Sequence, residues 1–309
     1  LKNILAALLL LPAVALSQEY VDVFKIGYGQ TFQNEIEGTD ITTNVITFES
    51  DLTLPLRISN NQAVILGGLF SKNNLQLFPG TASTDLQSVT LKLGYSGHIS
   101  ERWSSTLLFL PKIASDFTAI QGDDIYFGGL AIFKYHKNRN LKYRFGLYAS
   151  TEAFGVFSTP IIGLYYRSPN KQFEMDLSLP ISADINYTFD WLTLGVDYFG
   201  IGRSFRLYNE EEVSTTYLDL ASLEFSNYLQ VNLFEKSVLL RAKLGYASSE
   251  FEVYNNDETI DLGLSAFAFG DDRTRLNPDI SGGFFFRFEA LYRFDLSETD
   301  DDIDVPIIE

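Results

Sequence analysis

Apolar and polar residues alternate along most of the chain with a period of two. From Ile46, one face carries Ile46, Phe48, Ser50, Leu52, Leu54, Leu56 and Ile58, and the other carries Thr47, Glu49, Asp51, Thr53, Pro55 and Arg57. Successive side chains of a strand point to opposite faces, so this pattern predicts sheet with one apolar and one polar side. Similar segments set Val89, Leu91, Leu93 and Tyr95 against Thr90, Lys92 and Gly94, and Leu141, Tyr143, Phe145 and Leu147 against Lys142, Arg144, Gly146 and Tyr148. Phe173, Met175, Leu177 and Leu179 oppose Glu174, Asp176 and Ser178, while Val238, Leu240, Ala242, Leu244 and Tyr246 oppose Arg241, Lys243 and Gly245. Beyond the N-terminal segment no comparable stretch follows helical spacing.

The connections come in two lengths. Tight polar turns are expected at Ser59-Asn60-Asn61, Ser100-Glu101, Lys137-Asn138-Arg139-Asn140, Ser168-Pro169-Asn170-Lys171, near Asp190 and at Glu235-Lys236, with longer loops around 31–42, 73–85, 114–124, 206–216 and 253–282. Short turns alternating with long loops predict an all-β, up-and-down antiparallel transmembrane β-barrel, its turns periplasmic and its loops extracellular. Six turns with both termini on one side give about 14 strands, within 12–16. Ile260–Phe269 reads either as a hairpin arm of its own or as part of an outer loop.

Strand length and aromatics decide what the apolar face meets. A membrane strand takes about 9–11 residues, whereas strands of soluble sheets are commonly about 5–6. The runs 43–58, 86–98, 125–136, 218–234 and 283–295 reach the longer figure. Trp103, Tyr135, Tyr166, Phe173, Phe189, Trp191 and Phe234 fall beside short turns, where a headgroup-level aromatic girdle belongs. In the last run Phe284, Phe286, Phe288, Ala290, Tyr292 and Phe294 share one face, like the C-terminal strand of outer-membrane barrels, except that an acidic tail follows.

Composition agrees with export. Lys2, the apolar run Ile4–Leu11 and Ala15-Leu16-Ser17 have the form of a secretory signal over 1–17, followed by a barrel over 18–295 and an acidic tail over 296–309. The expected location is the outer membrane, with lipid and the barrel-assembly machinery as partners. With 40 acidic against 23 basic residues the net charge is -17, which argues against nucleic acid as a partner. The chain has 26 Phe, 17 Tyr and no Cys, so thiol chemistry, thiolate metal sites and disulfides are excluded.

If the apolar face meets lipid, the opposite face lines the interior. Its basic candidates are Lys25, Arg57, Lys92, Lys134, Lys142, Arg144, Arg203, Arg241, Lys243, Arg287 and Arg293; its acidic ones are Glu49, Asp51, Glu174, Asp176, Asp197, Glu224 and Glu289. The interior is thus mildly basic in an acidic chain. Either these charges pair and fill a non-conducting barrel, whose acidic outer loops bind a partner or divalent cations, or they line a pore that favours small anions. A secreted soluble β-sandwich is the third reading. No catalytic residue, cofactor or metal site is assigned. His98 and His136 lie beside short turns, with Ser96 and Ser100 near His98, but histidines at turn boundaries are usually solvated. Asp271-Asp272 and Asp300-Asp301-Asp302 do not follow an EF-hand spacing, and no phosphate loop, GxGxxG or HExxH occurs.

One central stretch is more specific. Thr159-Pro160-Ile161-Ile162-Gly163-Leu164-Tyr165-Tyr166, Phe173-Glu174-Met175, Leu179-Pro180, Ile185-Asn186-Tyr187 and Gly202-Arg203-Ser204-Phe205-Arg206-Leu207 resemble an uncharacterised family of outer-membrane β-barrel proteins of Gram-negative bacteria, a domain of unknown function. The resemblance implies fold and location and carries no catalytic residue with it. Pro160 and Pro180 suit bulges or strand ends, and Gly163 and Gly202 suit places where a bulky neighbour crosses a strand.

Overall fold

The structure, a computed structural model, describes residues 20–59, 61–209 and 212–295. The expected signal segment and acidic tail lie outside the described residues. Fourteen strands close into one antiparallel ring. They are β1 (Tyr20–Phe32), β2 (Ile46–Ser59), β3 (Gln62–Leu75), β4 (Thr84–Ser100), β5 (Trp103–Ser115), β6 (Ile125–His136), β7 (Leu141–Glu152), β8 (Gly155–Arg167), β9 (Phe173–Leu179), β10 (Ser182–Phe189), β11 (Leu192–Asn209), β12 (Glu212–Leu233), β13 (Val238–Asn255) and β14 (Gly283–Asp295). Each pairs with the next, and β14 returns to β1 in a register running from Tyr20↔Asp295 to Phe32↔Phe284. Ring closure gives the ladder hydrogen bonds of the last strand to the first, so no outer strand is left as an edge.

The polarity of the wall is the reverse of a soluble sheet's. Phe225, Leu244 and Phe284 are 55%, 69% and 72% exposed on the outside, while Arg144, Lys243 and Glu289 are 9%, 7% and 4% exposed on the inside. Charged side chains are almost never this buried unless they are paired, and a run of exposed Phe and Leu marks a surface made for an apolar medium. The aromatics expected beside the turns gather at that end, where the rings of Trp103 and Tyr135 lie 5.2 Å apart and those of Tyr166 and Phe173 6.2 Å apart. Among the described residues no helix is long and apolar enough to cross a membrane.

Wall height is uneven, and this departs from the expected pattern. The stretch 206–216, expected to be a loop, is largely strand: β11 and β12 run on as one hairpin paired through Leu207↔Thr216 and Asn209↔Glu212. These strands have 18 and 22 residues, whereas β9 and β10 have only 7 and 8. Above Ile162, where pairing with β9 stops, β8 is instead joined in parallel by Leu262–Leu264, one arm of a short hairpin with Phe267–Phe269. The segment 260–269 is therefore part of the outer connection and patches the wall above β9 and β10. Pro160, with no N–H to donate, lies on β8 just above the reach of β9.

Freed from β10 above Phe199, β11 leaves the wall. In a wall strand alternate residues are exposed, yet Ser204 with Phe205, Tyr217 with Leu218, and Val253 with Tyr254 are buried in succession. Protein therefore covers both faces of the hairpin tops. Arg206 lies opposite Ser115 of β5, six strands away around the ring, so the β11–β12 tip crosses the barrel mouth. Here sits the one apolar cluster inside the ring among the described residues, with Phe205, Tyr217, Leu218, Phe251, Leu86 and Ala114 at its centre.

Two glycines mark the close approaches that shape the notch. A Cβ on Gly163 would fall 1.9 Å from the backbone oxygen of Leu177, whereas one on Gly202 would meet the ring of Phe157 at 3.4 Å. A backbone neighbour cannot yield, while a ring can tilt. Gly163→Ala is expected to destabilise the folded barrel by about 1–3 kcal/mol, and Gly202→Ala by less. Urea-unfolding midpoints of the detergent-folded variants check this; equal midpoints would contradict it.

Candidate functional site

The lumen is the candidate site, and its side chains are identified as inward-facing by the partners they reach. Arg203 on β11 donates to Ser71 Oγ on β3 at 2.6 Å and lies 3.8 Å from Glu49 on β2. The Tyr20 hydroxyl on β1 donates to Glu174 on β9. Only residues pointing across the interior can meet over such a separation.

Ion pairs bridge the lumen in tiers. Near the turns, Arg293 donates to both carboxylate oxygens of Asp22 at 2.6 and 3.0 Å, and its guanidinium stacks 3.5 Å over the Tyr20 ring. Glu174 also accepts from Tyr165 at 3.1 Å and pairs with Arg167 at 3.7 Å. In the middle, Glu289 gathers Lys25 at 2.9 Å, Lys243 at 3.3 Å and Arg241 at 3.9 Å. Lys243 also pairs with Asp197, and Arg241 with Asp184 at 3.4 Å. Higher, Arg287 makes a bidentate pair with Glu224 at 2.7 and 2.8 Å, the fork geometry that suits a guanidinium and a carboxylate. Between this tier and Arg203 and Glu49 remains a cavity of about 30 Å³, on the scale of one water.

The expected lining residues are thus mostly drawn into pairs. Lys92 bonds Asp51 and Thr53, Arg144 pairs with Asp176 at 2.6 Å, and Lys142 stacks 5.1 Å over Tyr165. Arg57 stays by its turn, donating to the Ser59 carbonyl at 3.1 Å. Lys134 stands apart. The same inward parity also brings in Lys112, Arg167, Asp22, Glu152 and Asp184, which the reading of alternation missed. Glu152 continues the series Lys142, Arg144, Tyr148 at even positions, so extending that strand by two pairs would have found it.

The mouth is latched by polar contacts. Glu152 Oε2 accepts from both the backbone N and the hydroxyl of Ser204 at 2.8 Å, and Lys112 reaches Oε1 at 2.7 Å. Ser204 Oγ in turn accepts from the Ala153 N at 2.7 Å. On the far side, the Asp116 N donates to the Arg206 carbonyl at 2.9 Å, Asp116 Oδ2 accepts from the Tyr208 N at 2.8 Å, and the Tyr208 hydroxyl reaches Asp124 at 2.6 Å. Apolar burial gives this cap its bulk, and these bonds fix where it sits.

The candidate chemistry elsewhere is differently placed. Ser96 bonds Thr106 at 3.1 Å, and it is Ser104 that meets a histidine, His136 Nε2, at 3.0 Å. Lys134, Lys142 and His98 surround that ring, and none of them is the carboxylate that would orient it as a base. Asp271 is engaged by Arg273, which donates to both its oxygens at 2.9 Å. No group of three or more potential metal ligands occurs among the described residues. The 300–302 acidic run lies outside them.

The outer connection over 256–282 is tied by two carboxylates held below their ordinary range. The Arg273 side chain does this for Asp271, and the backbone N–H groups of Thr274 and Asn255 do it for Glu258. A depressed carboxylate contributes stability above its unfolded pKa of about 4 and loses it as pH falls through the folded value. The Arg273 and Thr274 amides should therefore lose hydrogen-exchange protection at pH 3 relative to pH 6, after correction for intrinsic rates. Unchanged protection would refute the assignment.

No curated protein matches the chain. Among solved structures it is similar to a bacterial polysaccharide outer membrane secretin, at 9% identity over 88% of this chain and 97% of that one, with a TM-score of 0.34. It is also similar to the β domain of the Bordetella autotransporter BrkA, at 12% identity over 89% and 99% of the two chains with a TM-score of 0.31, and to Acinetobacter baumannii OccAB4, at 9% identity over 91% and 100% with a TM-score of 0.27. The model of a family described as a domain of unknown function (DUF6268) matches residues 11–196, from ahead of β1 into β11 and short of Gly202–Leu207; the match covers more than half of the chain, and the chain belongs to that family.

Proposed function

We propose that the protein is an integral outer-membrane β-barrel closed to free passage of solutes, a non-conducting barrel rather than an open pore. The exposed apolar belt calls for hydrocarbon around the ring, and the export-type N-terminal sequence calls for a destination beyond the inner membrane. Outer-membrane lipid is then its first partner, reached through barrel-assembly machinery. The observation that carries closure is the β11–β12 tip lying across the mouth, bonded to β5 on one side and to Glu152 on the other. Below it, ion pairs bridge the lumen, and the space between the Arg287–Glu224 tier and Arg203 with Glu49 is about 30 Å³.

The conducting alternative, a channel for small anions, draws support from Lys134 and Lys142 near the turn end, and it requires the cap to move. Planar bilayers separate the two. The parent protein is expected to give no steady conductance steps in molar KCl. Glu152→Ala strips Lys112 and Ser204 of their shared acceptor, a loss of about 3–5 kcal/mol for a buried pair, and should give intermittent openings. Large, stable conductance from the parent protein would overturn the closed reading.

A further inference from the structure

Near the turns the lumen is not filled. A cavity of about 220 Å³ lies between β1, β2, β3, β4, β5 and β6. Pro55, Ile65 and Leu108 form part of its lining, together with Lys92, Lys134 and His98. It exceeds the roughly 150 Å³ of an apolar cavity that takes up benzene.

Its charges do not balance. Lys92 is committed to Asp51 and Thr53. Lys134 has neither an ion pair nor a hydrogen bond among the described residues, and the carboxylate whose charge acts on it, Asp176, already holds Arg144. Arg144 and Lys142, facing it from β7, add positive charge. His98 Nδ1 is buried without a hydrogen-bond partner. An ammonium that lines a cavity and has neither a carboxylate nor a hydrogen-bond acceptor is costly in a confined interior. One anionic group bound in the cavity at Lys134 would give it a partner.

We propose that this cavity binds a small monocarboxylate, its carboxylate on Lys134 and its short aliphatic body against Ile65, Pro55 and Leu108. A single negative charge matches Lys134, the cation lining the cavity that has no partner among the described residues, and the volume suits an acid of about six carbons. The site goes beyond the closed-barrel reading and does not depend on whether the lumen conducts.

The test is calorimetric titration of the full chain, folded in nonionic detergent, with sodium hexanoate. Saturable binding is expected, with 1-hexanol and inorganic phosphate each about tenfold or more weaker, since each lacks one half of the recognition. Lys134→Met keeps the aliphatic stem and should weaken hexanoate about tenfold or more, while melting no lower than the parent, because it removes a cation without a partner. Leu108→Trp fills the space and should abolish binding while preserving the heat-modifiable gel shift of a folded barrel. Absence of saturable binding to the parent, equal affinity in Lys134→Met, hexanol or phosphate binding as tightly as hexanoate, or binding that persists in Leu108→Trp through micelle partitioning would each overturn the proposal.

Discussion

Backbone hydrogen bonding in an apolar medium governs this structure. A sheet surrounded by hydrocarbon has no water to satisfy N–H and C=O groups at an edge, each of which would cost several kcal/mol. The sheet therefore closes, and closure turns most polar side chains of the wall toward one confined interior. Confinement then demands pairing, and Glu289 with Lys25, Lys243 and Arg241 shows how densely it is met. These pairs are not a large source of net stability, because desolvation offsets much of their attraction. What they do is fix which strands can face one another across the lumen.

The closed mouth follows from a mismatch in strand length. β9 and β10 end at half height, so β11 loses one neighbour while it still has ten residues to run from Gly200 to Asn209. A hairpin with one open side standing in lipid would leave ladder groups unsatisfied. Folding inward lets its backbone reach Ser115 and Asp116 and lets Phe205, Tyr217 and Leu218 bury in a common cluster. The hairpin 262–269 then supplies a partner for the upper part of β8. Notch, patch and cap are one arrangement.

Much of the wall was legible in the sequence, because a one-sided sheet writes period two wherever its two faces meet different media. The alternation around Ile46, Leu141 and Val238 and the aromatic face of β14 are placed as it implies, and the strand number follows from counting turns. The mouth was not legible, for a physical reason. Where both faces of a hairpin are covered by protein, as at Ser204-Phe205 and Tyr217-Leu218, alternation no longer distinguishes inside from outside, and the polar Arg206 to Thr216 stretch reads as a loop. Lumen pairing was legible only as a roster of charges: Arg203 meeting Ser71 and Glu49 depends on which strands face each other across the ring, which no local pattern encodes. Lys134 could be placed on the inner face, but not singled out as a cavity-lining cation that has no ion pair among the described residues.

The central claim is that the apolar side of the wall touches acyl chains. The chain has no cysteine, so single cysteines can be introduced at Phe225 and Leu229, which face out on β12, and at Ser226 and Gln230, which face in, each then carrying a fluorophore in liposomes of brominated lipid. The account predicts strong quenching at 225 and 229 and little at 226 and 230, an alternation residue by residue. Uniform quenching, or quenching at the inward pair alone, would contradict it.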